Sequence, residues 1–327
     1  MQLEGIHHIS AITGDAPGNV QFYTGVLGMR MVKRTVNQDE PSVYHLFYGD
    51  EHGSPGMDLT FFEYPGAAPG IAGAGMVHRI VWRVRSREAL EFWRDHLSAH
   101  GAKPTLTADS LLFSDPEGLE HELIIDTSGD EPLVAASPEI PAEHALLGFD
   151  GVRAYSSEPP RSQRLLGETL GFERASGETW QVRGAHRGSI YAYDPAPPEM
   201  NRRQGAGSVH HVAFAAQMDE IDEWRERIAQ AGARPTPVIE RFYFKSVYFL
   251  EPSGVLFEIA TIGPGFGIDE EEAHLGERLS LPAPFEPLRE QLERTLRPLP
   301  YPPAWRTEAP VERAQLQAPG GEAARAS

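Results

Sequence analysis

The chain is 327 residues long, carries a formal net charge of −18 and contains no cysteine. That length favours about two domains, and the charge argues against a nucleic-acid or anionic-membrane surface. The missing thiols exclude disulfides, thiolate metal sites and cysteine nucleophiles. Any metal must therefore be held by His, Asp or Glu, a donor set that suits Fe(II), Mn(II) or Zn(II). No apolar run reaches the roughly 18 residues of a membrane helix and no signal-peptide pattern opens the chain, so a cytoplasmic protein is the simplest expectation.

Gly5-Ile6-His7-His8-Ile9-Ser10-Ala11-Ile12 reads as a strand. Asp15 as N-cap and Pro17 in the first turn then mark a helix, with Val20, Tyr23 and Leu27 at helical spacing and Gly28 as the stop. Strands follow around Met29 to Val36, Val43 to Tyr48 and Met57 to Tyr64, completing a βαβββ unit.

The pattern returns. Met76 to Trp82 is a strand; Ser86 starts a helix that lines up Leu90, Trp93 and Leu97 and stops at Gly101. Gly101-Ala102-Lys103-Pro104-Thr105 is matched later by Gly232-Ala233-Arg234-Pro235-Thr236, after a helix with Ile221, Trp224 and Ile228. Asp115-Pro116-Glu117-Gly118 is likewise matched by Glu251-Pro252-Ser253-Gly254, each before a last strand. Two matches in the same order point to an internal repeat.

A weaker copy lies between. Gly148 to Tyr155 is its first strand, Arg161 to Leu170 its helix with Gly171 as stop, and Trp180 to Val182 and Ser189 to Tyr193 its strands. The polar stretch Asp126 to His144 reads as a linker. Residues 5–130 thus hold two modules and 145–262 two more. Residues 263–327 form a C-terminal extension with short helices over Asp269 to Leu275 and Pro287 to Leu296. From about Pro298 it is rich in Pro, Ala, Glu and Arg and is expected to be disordered.

The fourth copy opens with Val209-His210-His211-Val212-Ala213-Phe214 and closes with Val255-Leu256-Phe257-Glu258-Ile259-Ala260. Aligned on first strands, the position of His211 is His8 in copy one, Arg79 in copy two and Gly151 in copy three. Aligned on the residue four after the turn glycine, Glu258 corresponds to Thr60, Glu122 and Ala192 in copies one, two and three. Copies one and four together therefore supply His8, His211 and Glu258. Two imidazoles and one carboxylate leave coordination positions open, as suits non-heme Fe(II). A carboxylate among Leu256, Phe257, Ile259 and Ala260 is costly unless compensated, and a metal is the most direct compensation. Pairing copies one with two and three with four would instead separate His8 from the other two, unless a subunit interface returned it.

Strand alternation keeps Ser10 on the face of His8 and turns His210 away from His211. Copy four also carries an insertion holding Ile239 to Ser246, with Arg241 inside it and Tyr248 just after it. Arg241 suits neutralising a phenolate and Tyr248 suits donating to a ring oxygen; a solvated Arg and a packed Tyr are equally compatible with sequence. The other histidines, His45 among them, have no partner at ligand spacing and read as surface or packing residues.

These segments, with Asn19 to Tyr23 and Gly25 to Gly28, Phe244-Lys245-Ser246, Phe257 to Thr261 and Gly265-Phe266-Gly267-Ile268-Asp269-Glu270, resemble the vicinal oxygen chelate superfamily, the glyoxalase, bleomycin-resistance and extradiol dioxygenase group. The similarity is strongest to ring-cleaving dioxygenases of hydroquinones and chlorohydroquinones and spans roughly residues 5 to 300. The resemblance implies an α+β fold of four βαβββ modules in two cupped mixed β-sheets with helices outside. It implies Fe(II), or sometimes Mn(II), on His8, His211 and Glu258. Around it the resemblance implies a pocket with Tyr248, Arg241 and His210 as catalytic groups and Ser10 and His7 against substrate. A small aromatic diol and O₂ are the expected partners, with neither nucleic acid nor membrane; a homo-oligomer is compatible with the sequence. A metal-dependent lyase or isomerase of the glyoxalase type and a non-catalytic binding protein are the alternatives. The first is disfavoured by Thr60 where a second carboxylate would stand, the second by the trio itself.

Overall fold

The computed structural model describes residues 1–197 and 202–303. The disorder expected near the C-terminus falls mostly beyond residue 303, outside the described residues. Module one contains β1 (Ile6–Thr13), α1 (Ala16–Val20), β2 (Arg30–Val36), β3 (Tyr44–Gly49) and β4 (Asp58–Glu63). Module two contains β5 (Met76–Val84), α2 (Arg87–Ala99), β6 (Thr105–Leu106), β7 (Ser110–Ser114) and β8 (Glu120–Ile125). Module three has β9 (Phe149–Ser156), β10 (Glu173–Ser176), β11 (Thr179–Arg183) and β12 (Gly188–Pro195); module four has β13 (Ser208–Ala216), α3 (Ile221–Gln230), β14 (Ile239–Glu240), β15 (Phe244–Leu250) and β16 (Leu256–Pro264). A last helix, α4 (Arg289–Thr295), lies in the extension.

The helices follow local chemistry. Ser86 Oγ accepts the Ala89 N–H at the start of α2, Leu90, Trp93 and Leu97 are buried, and Gly101 ends it at φ 83°. Asp15 stands at the cap of α1, but its carboxylate is drawn to Arg297 at 3.0 Å and does not cap. After Val20 the helix widens to π turns over Gln21–Val26, with Leu27 N–H on Phe22 O, and still buries Tyr23 and Leu27. Module three does the same over Leu165–Thr169. Strand β10, fully exposed, has no apolar alternation and escaped the sequence reading.

Among the described residues the strands form two eight-stranded sheets, ordered β14-β15-β16-β13-β1-β4-β3-β2 and β10-β11-β12-β9-β5-β8-β7-β6. Module one thus pairs with module four, and module two with module three. The sheets meet their halves in antiparallel seams, β1 with β13 and β5 with β9. The sequence boundary at the linker therefore does not separate one sheet from the other. Beside each first strand the last strand runs parallel in one register: Ser10 opposite Thr60, Val81 opposite Glu122, Arg153 opposite Ala192 and Ala213 opposite Glu258. Thr60, Glu122, Ala192 and Glu258 are equivalent in space, as the turn-glycine alignment requires.

Both seams carry two β-bulges. Pairing steps over His7 and His210 in one, and over His78 and Asp150 in the other. A bulge puts two consecutive side chains onto one side of a strand, which alternation forbids.

The extension closes one wall of the first sheet. Lys33 on β2 is fully buried and bonds Asp269 at 2.7 Å, Glu270 and the Phe266 carbonyl, with its ammonium 4.8 Å from the Tyr243 ring centre. Its charge is therefore compensated on every side. A separate apolar cluster of Val32, Phe47, Tyr243, Phe244, Phe266 and Leu275 fills the space between. No helix among the described residues is long and apolar enough to cross a membrane.

Candidate metal centre

The β1–β13 seam brings His8 and His211 face to face, and β16 delivers Glu258 beside them. His8 Nε2 and His211 Nε2 lie 3.3 Å apart, and Glu258 Oε2 lies 3.2 Å from the first and 2.9 Å from the second. Atoms held at about 2.0–2.2 Å from one ion sit roughly 2.9–3.5 Å from each other, so the three match a shared divalent cation. All three residues are buried, Glu258 at 0% exposure. Glu258 Oε2 makes no hydrogen bond despite these short contacts. The other oxygen, Oε1, accepts from Ser246 Oγ and fixes the carboxylate plane.

Burial alone would raise the Glu258 carboxyl, but the adjacent His8 and His211 hold it well below the usual range. Burial, the largest single influence, pulls the His8 imidazole down, but Glu258 and Asp58 together pull it up, and the net direction is up. His211 moves down, burial outweighing Glu258. In the absence of a cation an added proton is therefore held more readily by His8 than by His211.

The bulges decide where the preceding histidines go. His7 Nδ1 is 3.0 Å from His8 Nδ1, and His210 Nδ1 is 2.8 Å from His211 Nδ1. Both lie behind the His8 and His211 rings, and neither lines the cavity in front of them. Burial and the neighbouring imidazole lower His7 to about 3 and His210 to about 4, so both stay neutral. The alternation that sent His210 away from His211 is cancelled by the bulge.

In front of the trio opens a small cavity of about 40 Å³. His8, His211, Ser10, Arg241 and Tyr248 line it, as do Phe47, Phe62 and Phe244, whose rings suit an aromatic guest. The Arg241 guanidinium lies 5.5 Å from the Tyr248 ring centre and pairs with Asp39 at 3.3 Å. Burial, then Glu258, keeps the Tyr248 phenol protonated far above its ordinary value. Phe242, between the cavity-lining Arg241 and Tyr243, has φ 72°, a strained conformation.

Two residues passed over in the sequence belong here. His45, on β3, lines the cavity; its Nε2 is 3.0 Å from Thr60 Oγ1, which is 2.8 Å from Ser10 Oγ. Burial, with His8 and His211 nearby, holds it neutral. Sequence spacing assigns it to the surface or to packing because its partner lies on another strand. Asp58, opposite His8 in register, is fully buried with no hydrogen bond to either oxygen, and burial raises it to about 8. The argument applied to a carboxylate among apolar residues at Glu258 would have found Met57-Asp58-Leu59.

The paired βαβββ modules define the class. The chain belongs to the Glyoxalase/Bleomycin resistance protein/Dioxygenase superfamily, whose family model matches residues 5–123 and 148–259 and skips the linker. MhqA of Bacillus subtilis (strain 168), provisionally named a ring-cleaving dioxygenase, is 38% identical over 315 residues, covering 91% of this chain and 100% of MhqA. The chlorohydroquinone/hydroquinone 1,2-dioxygenase of Sphingobium indicum is 30% identical over 313 residues, covering 90% and 96%. A crystal structure of a Bacillus subtilis protein, provisionally named a dioxygenase, matches with TM-score 0.84 at 38% identity over 91% of this chain and 98% of that one. Glyoxalase I from Zea mays, at TM-score 0.54 and 15% identity, shares the fold over 79% of this chain and 92% of its own.

Proposed function

We propose that the chain is a ring-cleaving dioxygenase that takes a hydroquinone- or catechol-like aromatic and O₂, with Fe(II), or Mn(II) in its place, on His8, His211 and Glu258. The observation that carries this reading is the convergence of those three donor atoms at the floor of an aromatic-walled cavity. The likeness in sequence to the named ring-cleaving relatives supports the reaction class, and Thr60 in place of a further carboxylate leaves room for two exogenous ligands.

When bound, the iron supplies the Lewis acidity that favours a phenolate and the electron chemistry that O₂ requires. The protein's own groups do the rest. Phe47, Phe62 and Phe244 exclude water and orient the ring. Neutral His45 accepts the proton of the phenol, and its Nε2 contact with Thr60 links it to Ser10. Tyr248, held protonated, donates to a substrate oxygen, and Arg241 offsets negative charge that develops beside it. His210 has no direct contact with the cavity, so it is assigned a supporting role rather than proton transfer; His7 likewise supports His8 rather than touching substrate.

The test is anaerobic loading with Fe(II), followed by metal analysis and O₂ uptake with hydroquinone and catechol in parallel. Near-stoichiometric iron with aromatic-dependent O₂ consumption is the expected result. Tight metal binding with no O₂ consumption on any aromatic diol would favour a lyase or isomerase instead.

A further inference from the structure

The doubled histidines at the two ends of this site repeat a geometry that the metal-binding trio alone does not require. In the β1–β13 seam each bulged residue is a histidine, and each places Nδ1 within 3.0 Å or less of the Nδ1 of the histidine that follows. The β5–β9 seam has the same two bulges without this arrangement. There His78 bonds Asp194 at 2.9 Å and Asp150 bonds Arg83 at 3.1 Å, and the residues that follow are Arg79 and Gly151. The bulge is thus a property of the fold, whereas the contact between the two Nδ1 atoms belongs to the seam that holds the trio.

A neutral imidazole carries one N–H and one lone pair. A ring that offers its Nε2 lone pair to a cation must carry the proton on Nδ1, and in a buried setting that N–H needs an acceptor. The nitrogens facing Glu258 are Nε2 in both His8 and His211, and the nitrogens facing the bulged residues are Nδ1. His7 must then accept through Nδ1 and carry its own proton on Nε2, which leaves it free to donate to the Thr261 backbone that its ring contacts. Asp58 also lies near His7 and His8, but hydrogen-bonds neither, and the place it would take beside His211 is filled by Leu256. The repeated acceptor is the histidine and not the acid.

We propose that His7 and His210 are positioning residues which accept the Nδ1–H of His8 and His211, fixing the tautomer and ring angle that present both Nε2 lone pairs to the ion. The inference rests on the metal-centre reading above. An imidazole acceptor brings no charge. Two neutral ligands, one carboxylate and a divalent ion leave a net +1, which a carboxylate acceptor behind each ring would reverse and which favours an anionic ring oxygen.

The experiment compares His7→Leu and His210→Leu, which remove the acceptor, with His7→Asn and His210→Asn, whose amide oxygen can replace it. Zn(II) serves as a diamagnetic probe: its affinity is read by competition with a chromophoric chelator. Long-range ¹H–¹⁵N NMR of the Zn(II)-loaded wild type reads which ring nitrogens carry protons, and urea unfolding of the metal-free variants reports on folding separately. Each Leu variant is expected to bind Zn(II) roughly 10–100-fold more weakly, the effect typical of losing such a partner, while the Asn variants recover most of it. The wild-type spectrum is expected to show protonated Nδ1 on His8 and His211. Leu variants that bind as tightly as wild type would overturn the inference while leaving the metal centre standing, whereas a proton on Nε2 of His8 or His211 would take that ring off the ion and overturn both readings. Should a Leu variant fail to fold, its Asn counterpart and the wild-type spectrum still decide. Wild-type protein that binds no Zn(II), or binds it equally after His8→Ala, overturns the metal reading and this inference with it.

Discussion

The two sheets are built on one plan and differ at the positions that matter. At the seam of modules one and four stand His8, His211, Glu258 and Thr60; at the seam of modules two and three the same positions hold Arg79, Gly151, Glu122 and Ala192. Glu122 is met by Arg79 at 3.2 Å, and Arg79 also bonds Glu120 at 3.1 Å. Its counterpart Glu258 has two imidazoles and an oxygen without a hydrogen bond. One seam has its cation covalently built in as a guanidinium, and the other has a shape that asks for one from solution. The fold supplies the geometry twice, and three side chains decide whether it offers a set of metal ligands or closes as an ion pair.

The sharpest way to break this contrast is to remove the trio. His8→Ala or Glu258→Gln should abolish stoichiometric metal and all aromatic-dependent O₂ uptake, whereas Glu122→Gln should leave metal content unchanged. Metal analysis of the three variants checks this, and retention of iron by either of the first two would overturn the assignment. Next in size is His45. His45→Phe should keep the metal and lower turnover by roughly 10²–10⁴-fold, the range for loss of a proton-transfer group. A variant with full turnover would return His45 to the packing role that sequence spacing suggested.

The second seam makes a complementary prediction. A Cβ added at Gly151 would meet the Ile190 carbonyl oxygen at 2.0 Å, so backbone must move. Gly151→Ala should destabilise the protein by about 1–3 kcal/mol, as overpacking does, measured as a shift of the urea midpoint. The trio therefore cannot be transplanted by side chains alone: Arg79→His with Gly151→His should bind no second equivalent of metal. A folded double variant that binds two ions would show that the seams differ less than their backbones indicate.

Much of this was legible in sequence because period and register are linear properties. The repeat landmarks at Gly101 and Gly232 and the position four after each turn glycine carry over directly into the shared register of Thr60, Glu122, Ala192 and Glu258. The pairing of module one with module four was required by the trio and is what the sheets show. What stayed hidden depends on contacts across strands. The bulge at His210 has no residue signature beyond the doublet it shares with His7, so alternation gave the wrong side for its ring. The link from His45 through Thr60 to Ser10 crosses three strands. The clasp of Lys33 on Asp269 and Glu270, which ties the extension to β2, joins residues 236 and 237 positions apart.

The smallest expected effect is a difference in pH response, since the cation of one seam titrates and that of the other does not. Metal-free, His8 is raised above its ordinary value of 6.5, Glu258 and Asp58 together offsetting burial, while His211 is lowered and Glu258 stays ionised. A cation must then displace one proton, from His8, at any pH below its raised value, and none from His211 or Glu258. Affinity should rise about tenfold per pH unit there and level off once His8 is neutral. The stability of the metal-free protein has the opposite sign. A histidine whose folded value is raised contributes fully below its unfolded value, and that contribution is lost as pH rises through the folded one. Metal-free protein should therefore lose stability over the upper part of the range in which metal affinity grows. Chelator competition and urea unfolding across the same pH series read both slopes. A proton stoichiometry of two would place a proton on His211 as well, and a flat affinity would mean that His8 is neutral before the ion arrives.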